Sequence, residues 1–325
     1  MPESVLAPAF DHSSDPNFLA YYAEQSASAA TLQRFSRVKD RSMMLLSQRN
    51  KPLKGLMVLD IGCGAGTQAR LWAPGACRTW GVEAKFGPSE DSFRRICRPI
   101  AIAMGQKAGE KWTAAAKLQP TFPKSDRLLD AHQAHGVDVN APLIAVAQAR
   151  AKAEGLSVRL DVGSATHLPY GDASMDVCLM PELLEHVQDW QSCLREAVRV
   201  LKPGGLLYVS TSNALCPLQN EFNLPFYSWY PGFAKRHFER LSITTRPDLV
   251  NHARYPAVHW FSYYGLKRFL KPLGMHCQDR FDVLDTRGRS RPVRLLVGLV
   301  KALPPLHLVG HLLTQGSTVW AFKQA

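Results

Sequence analysis

The stretch Val58-Leu59-Asp60-Ile61-Gly62-Cys63-Gly64-Ala65-Gly66 decides how this chain is read. An apolar run ends in an acid, and glycines follow at alternate positions. The run is short and apolar enough for a buried parallel strand over 56–60. Glycine at 62, 64 and 66 lets the backbone bend sharply and lets a ligand approach with no Cβ in the way. Thr67-Gln68-Ala69-Arg70-Leu71-Trp72 then opens a helix whose first N–H groups face the same crevice. This is a nucleotide-type ligand site at the top of an α/β sheet.

The same glycines, read as Gly64-Ala65-Gly66-Thr67-Gln68-Ala69, also fit the G-x-G-x-x-A form of a dinucleotide fingerprint. Asp60 discriminates. A carboxylate just ahead of the first glycine repels a pyrophosphate but suits a ligand that presents a cationic amino group.

Working outward, strands and helices alternate. A strand over 157–162 follows an alanine-rich helix over 143–154. A fourth strand covers 175–180, and a helix begins at Asp189 with Leu194, Ala197, Val198 and Leu201 on one face. Lys202-Pro203-Gly204-Gly205 stops that helix, and 206–211 is a fifth strand. The alternation predicts an α/β fold: a right-handed, doubly wound, mostly parallel sheet of seven strands. Two acids compete to close the second strand. Glu83 lies 23 residues past Asp60, close to usual nucleotide-fold spacing, and Asp138 comes much later. Asp138 is chosen, because the helix and strand that follow it come in the right order. Residues 74–131 then form a basic insertion in a helix-to-strand connection, at the sheet edge opposite the ligand crevice.

Three further segments flank this frame. Asp15-Pro16 starts a helical pattern reaching about Met44, so 1–55 is read as an N-terminal helical lid, with plain packing on the sheet as the alternative. Twelve of the chain's 30 aromatics fall in 213–264, interleaved with prolines. That segment is expected to cap the substrate crevice, with aromatic walls for the acceptor or a small core of its own. The last two strands are placed at 281–284 and 318–322. Between them, 287–315 reads as a helical hairpin, with Arg287, Arg289, Arg291 and Arg294 beside apolar runs broken by Pro304-Pro305. It is either an ordinary packed hairpin or a peripheral membrane contact over 287–313.

Composition bounds the partners. The chain has 325 residues and a formal charge of +12, which favours anionic surfaces. Its seven cysteines include no C-x-x-C pair and read as buried thiols of a reducing compartment. No apolar run approaches the ~20 residues that cross a bilayer. Without a signal-peptide pattern at Met1-Pro2-Glu3-Ser4, the expectation is a cytoplasmic protein, with association at the inner membrane surface as the alternative.

Residues 56–73 and 136–213 resemble class I S-adenosylmethionine-dependent methyltransferases, of the type 11 and ubiquinone-pathway O-methyltransferase kind. The resemblance rests on the Asp60–Gly66 loop, on Val162-Gly163-Ser164-Ala165-Thr166-His167-Leu168-Pro169-Tyr170, on Met180-Pro181 and on Leu201-Lys202-Pro203-Gly204-Gly205. It implies S-adenosyl-L-methionine as cofactor, held by Asp60, Gly62, Cys63, Gly64 and Gly66. Asp138 and Val139 then lie at the ribose, Ser164 and Ala165 border adenine, and Met180 and Pro181 lie beside the sulfonium methyl. Ser164 stands where the family usually carries an acid, which removes a charge from the adenine contact.

Glu182-Leu183-Leu184-Glu185-His186 resembles the E-x-x-E-H stretch of ubiquinone-pathway O-methyltransferases. That likeness implies a divalent ion such as Mg held by Glu182, Glu185 and His186. The alternatives are His186 as a metal-free general base or a structural role, and His259 is a further candidate base. The expected reaction is O-methylation of a small hydrophobic, phenolic or lipid-like acceptor, such as in quinone or lipid biosynthesis, with C- or N-methylation of another metabolite as the alternative. From other classes, an NAD(P)-dependent oxidoreductase is opposed by Asp60. A non-catalytic RNA-associated protein is opposed by Met180-Pro181-Glu182-Leu183, which stands where an N-P-P-Y/F motif serves base methylation.

Overall fold

Residues 29–74, 133–219, 221–250, 257, 259–286 and 288–324 are described by a computed structural model. Strand β1, Met57–Ile61, is the centre from which the sheet grows. Its residues alternate between faces as a two-sided buried strand must: Leu59 and Ile61 enter one core, Val58 the other. The strand ending in Asp138, β2 (Gln133–Asp138), pairs parallel with β1, and β3 (Val158–Val162) pairs parallel with β2. On the other side lie β4 (Met175–Pro181) and β5 (Leu201–Ser212), both parallel. Strand β7 (Gly316–Lys323) is antiparallel to β5 and to β6 (Met275–Asp279), which completes the order β3-β2-β1-β4-β5-β7-β6. The doubly wound, mostly parallel seven-stranded sheet is therefore present, with one reversed strand.

Helices close both faces. Helix α1, Ala29–Gln48, buries Val38, Leu45 and Leu46 against Val58, Trp72 and Tyr208. The short helix α2, Thr67–Leu71, follows the glycine loop, and α3, Ala141–Ala153, is capped by Asn140, whose side chain accepts from the Leu143 N–H at 3.1 Å. Helix α4, Trp190–Val200, is capped by Asp189 through the Ser192 N–H at 3.0 Å, a cap contributing about 1 kcal/mol. Leu194, Ala197 and Val198 of α4 and Leu266 and Leu270 of α6 (Tyr263–Leu270) face Met180, Leu207 and Val209. The cap holds α5, Gly232–Thr244. Helices α7 (Arg291–Ala302) and α8 (Pro304–Leu312) form the hairpin between β6 and β7, bent by 105° at Leu303.

Three features differ from the sequence reading. Helix α4 stops at Val200, and Leu201 is already paired with Met175. Two residues of β4 then span five of β5, and Gly204, at φ +71°, absorbs this irregularity. The strand expected at 281–284 is a turn, and β6 lies at Met275–Asp279. The Asp279 Oδ1 accepts from the N–H groups of Phe281 and Asp282, which ends extended pairing there. The cap is partly helical, and its final aromatics, Tyr263 and Tyr264, start α6. Helix α7 buries none of its residues, whereas α8 packs through His311, which is buried. The expected basic insertion over 74–131, the rival acid Glu83 and the first part of the expected lid fall almost wholly outside the described residues.

Candidate functional site

The C-terminal edge of β1, β2 and β3 is held together by backbone. The Gly62 and Cys63 N–H groups donate to the Val137 carbonyl at 2.8 and 3.1 Å, and the Gly163 N–H donates to the Asp138 carbonyl at 2.9 Å. Asp138 ties the loops further. Its Oδ2 accepts from the Gly64 N–H at 2.8 Å and its Oδ1 from the Asn140 N–H at 2.9 Å. A carboxylate has about four lone-pair sites, so this arrangement fixes its orientation and keeps acceptor capacity. Gly62, Gly64 and Gly66 all adopt left-handed backbone. Their surroundings differ. A Cβ on Gly66 would meet the Ala147 Cβ of α3 at 2.8 Å, and one on Gly62 would meet the Leu183 side chain at 2.7 Å. At Gly64 it would meet nothing within 4 Å. Two of the glycines thus allow close packing, and Gly64 is the one that faces open space.

Asp60 is buried. Its Oδ2 accepts from the Ala69 N–H at 3.0 Å, while its Oδ1 has no hydrogen-bond partner among the described residues. Burial pushes its carboxyl up to about 7, and the nearby Asp138 pushes the same way against the Ala69 bond. A cationic ligand group stabilises the ionised form of such an acid. Beyond Asp138, Val139 is 68% exposed, and Val162 at the end of β3 is 54% exposed. These are apolar surfaces suited to a flat ring. Ser164 is exposed beside them, its hydroxyl 2.7 Å from the Thr166 hydroxyl, with Ala165 half-buried. The segment is held from α4: Glu196 accepts from the Leu168 N–H at 2.8 Å, and Arg199 donates to the Leu168 and Tyr170 carbonyls. An orphaned acid oxygen, an open glycine and an apolar rim together fit a cofactor carrying a cationic amino acid and an adenine. Met180 is wholly buried and Cys63 nearly so, so neither presents its side chain at the surface of the crevice.

The β4–β5 half of the edge is acidic. Glu182, just past β4, adopts a left-handed backbone at φ +50°, unusual for a non-glycine residue. Its N–H donates to the Ser210 carbonyl at 2.8 Å, its Oε1 accepts from the Ser210 hydroxyl at 2.6 Å, and Arg34 of α1 lies 3.7 Å away. The 3₁₀ turn Leu184–His186 then carries Glu185 into the interior, where neither carboxyl oxygen has a hydrogen-bond partner among the described residues. Burial pushes the Glu185 carboxyl well above the carboxylate range, and the charges of Glu182 and Glu221 push it further. Glu221 of the cap reaches the Ser212 hydroxyl at 3.5 Å.

The expected metal set does not form. Glu182 turns toward Ser210, Glu185 turns inward, and the donor atoms of Glu182, Glu185 and His186 are not gathered around one point. Among the described residues the gathered set is Asp279, His307 and His311, within 4.8 Å of one another. There the Asp279 Oδ2 lies 2.6 Å from His307 Nε2 and 2.8 Å from His311 Nε2. No step is assigned to a metal at 182–186. His259 contacts the Gln188 carbonyl at 3.2 Å, and its N–H donates to the Glu185 carbonyl, so it braces the turn. The cap's aromatics build their own core: Phe222, Tyr227 and Leu249 are buried, packed by Tyr230, Phe238 and Trp260. Arg34, Ser210 and Glu221 were missed by sequence reasoning, since nothing in their local patterns marks them. His307-x-x-x-His311 carried a helical spacing that pointed to one shared face.

Known proteins resemble this chain over part of its length. A family model described as a methyltransferase domain matches residues 122–209. Norajmaline N-methyltransferase of Rauvolfia serpentina is 40% identical over 79 residues, 24% of this chain and 27% of that protein. The chain thus spans about a quarter of the length of the first curated relative it matches. Demethylmenaquinone methyltransferase of Tropheryma whipplei is 30% identical over 184 residues, 56% of this chain and 71% of that protein. Among solved structures, a putative sarcosine dimethylglycine methyltransferase from Galdieria sulphuraria aligns with a TM-score of 0.45 at 14% identity, covering 89% of this chain and 86% of that one.

Proposed function

The chain belongs to the class I S-adenosylmethionine-dependent methyltransferases, and on that premise we propose that it methylates a hydroxyl of a small hydrophobic, phenolic or lipid-like acceptor. S-adenosyl-L-methionine supplies an electrophilic methyl on a sulfonium. Asp60 and the Gly62–Gly66 loop receive its amino acid end, Asp138 its ribose, and Val139, Val162, Ser164 and Ala165 its adenine. Met180 and Pro181 set the floor of the crevice at the end of β4.

The observation that carries the acceptor chemistry is Glu182. Strained backbone is kept where the surrounding structure over-determines it, which is commonly at a functional site. Glu182 is held by Ser210 and Arg34 at the open end of β4, and its side chain remains 39% exposed. The acceptor oxygen bonds to the methyl carbon as the carbon–sulfur bond breaks, and the hydroxyl proton passes to the Glu182 carboxylate. Burial and the charge of Glu182 both disfavour ionisation of Glu185, which holds the local charge down. Phe226, Trp229 and Phe233 remain exposed on the cap, which supports an apolar acceptor, and the proposed place of work is the cytoplasm at a membrane surface.

A second reading, methylation of an amine, is favoured by the carboxylates of Glu182 and Glu221, because they suit an acceptor that carries an amino group. Incubation with methyl-labelled cofactor and parallel phenolic and amine panels separates the two. Label in phenolic products alone supports the first reading, label in amines alone the second. Label in neither, with no S-adenosylhomocysteine bound in calorimetry, overturns both.

A further inference from the structure

The bent hairpin α7–α8 is the part of the molecule that the catalytic reading does not use. On α7, Leu295 is 66% exposed, and Leu296 and Leu299 are exposed with it. Leu303 stands exposed at the corner. On α8, Leu306, Leu308 and Val309 continue the apolar surface. Soluble monomers rarely leave so continuous a surface uncovered.

Charge selects the occupant. From Thr286 to Ala325 the chain has no Asp or Glu, while Arg287, Arg289, Arg291, Arg294 and Lys301 precede or punctuate the apolar crest. Against a second copy of this chain, the same arginines would meet one another with no acid on the segment to pair with. An anionic bilayer complements both features: acyl chains cover the leucines and phosphates meet the basic rim. Length fixes the mode. Helices of 12 and 9 residues reach about 18 and 14 Å, so neither alone crosses the ~30 Å hydrocarbon core, and with a 105° bend between them the pair could cross only as a broken span.

The hairpin is fixed rigidly to the ligand edge of the sheet. Asn213, just beyond the end of β5, donates from Nδ2 to the carbonyls of His311 and Thr314 at 2.8 and 2.7 Å. Asp279, at the end of β6, binds both His307 and His311. The Tyr264 hydroxyl adds a bond to His307 Nδ1 at 2.8 Å. Whatever docks on the hairpin is therefore brought to the edge where β1, β4 and β5 end.

We propose that α7–α8 is an interfacial docking surface for anionic phospholipid bilayers, the leucine crest lying at the acyl boundary and the arginines on the headgroups. This goes beyond the methyl-transfer reading and does not depend on it. The test is flotation of the full chain with phosphatidylcholine vesicles, with and without phosphatidylglycerol, for wild type, Leu299→Asp/Leu303→Asp and Arg291→Glu/Arg294→Glu. All substituted positions are exposed, and far-UV circular dichroism and S-adenosylhomocysteine binding check that each variant is folded. Wild type is expected to float only with phosphatidylglycerol vesicles, and each double variant to partition roughly tenfold less or weaker. Absence of flotation by wild type, equal binding to neutral vesicles, or undiminished binding by both variants overturns the proposal. A wild-type dimer in sedimentation that Leu303→Asp dissociates also overturns it, in favour of a second copy.

Discussion

At the β1–β3 end of the sheet, the crevice is shaped by the main chain of the glycine loop and by two carboxylates, buried Asp60 and Asp138, the latter fastening two loops at once. At the β4–β5 end they are side chains brought from Arg34, Glu182, Glu185, Ser210 and Glu221, five positions on separate elements. The first region binds by the shape of the main chain, so its chemistry is written in glycines and in the acid that holds them. The second binds and reacts through side chains, so its chemistry depends on tertiary placement. Substitutions in the first should damage cofactor binding and stability; those in the second should damage turnover.

Asp138→Ala should have the largest effect. It removes two charge-assisted hydrogen bonds, each contributing about 1.5–3 kcal/mol, so S-adenosylhomocysteine affinity should fall by roughly a hundredfold or more in calorimetry. Glu83→Ala should leave affinity near normal. The reverse result would move the ribose site to the strand that sequence spacing alone had favoured.

The acidic region offers the next test. Glu182→Gln should lower kcat by about a hundredfold with KM retained, the range for loss of a positioned base. Glu185→Gln is nearly isosteric with the protonated carboxyl and should keep turnover within severalfold. Its signature is in stability. The folded carboxyl sits well above its ordinary value of 4.5, so the native state holds a proton that the unfolded state has lost. Wild-type stability therefore declines as pH rises past about 4.5, until the folded group itself ionises. Glu185→Gln should remove that decline in urea titrations at stepped pH. An unchanged slope would show that Glu185 is not buried as described.

The glycines sharpen the comparison within the first region. Gly66→Ala imposes a left-handed conformation on alanine and drives its Cβ into Ala147, so it should destabilise by about 2–4 kcal/mol. Gly64→Ala has the backbone penalty alone, about 1–2 kcal/mol, yet its new Cβ projects into the crevice and should weaken cofactor binding more than Gly66→Ala does per unit of stability lost. Thermal unfolding with and without S-adenosylhomocysteine separates the two.

This contrast also explains how much was legible in sequence. The Asp60–Gly66 loop and the Asp189 cap are local: a few adjacent residues must satisfy fixed backbone angles and unpaired N–H groups, and few residue types do so, whereas the β2 acid was legible only from the order of the helix and strand after it. The frame of strands followed from these. Phe281-Asp282-Val283-Leu284 misled because an apolar run looks the same whether it pairs or turns, and Asp279 decides the turn from outside the run. Met275–Asp279 was hidden because its alternation, Met-His-Cys-Gln, is only four residues long and ends in an acid. Glu182 and Glu185 suggested one ligand set by spacing, but a left-handed residue and a 3₁₀ turn send them apart. The ring of Arg34, Ser210 and Glu221 left no local mark at all.

Ser164→Asp should give the smallest effect, and its direction is informative. Where the family carries an acid, this chain has a hydroxyl already engaged with the Thr166 N–H and hydroxyl. A carboxylate there can accept from Thr166 through one oxygen and keep the other for the adenine amino group. The charge-assisted bond should tighten S-adenosylhomocysteine binding by about fivefold, close to 1 kcal/mol, with kcat unchanged because the acceptor region is untouched. Affinity that stays flat or falls would mean that the Val139–Val162 rim does not hold the adenine. The cofactor half would then depend on tertiary placement of side chains, as the acceptor half does.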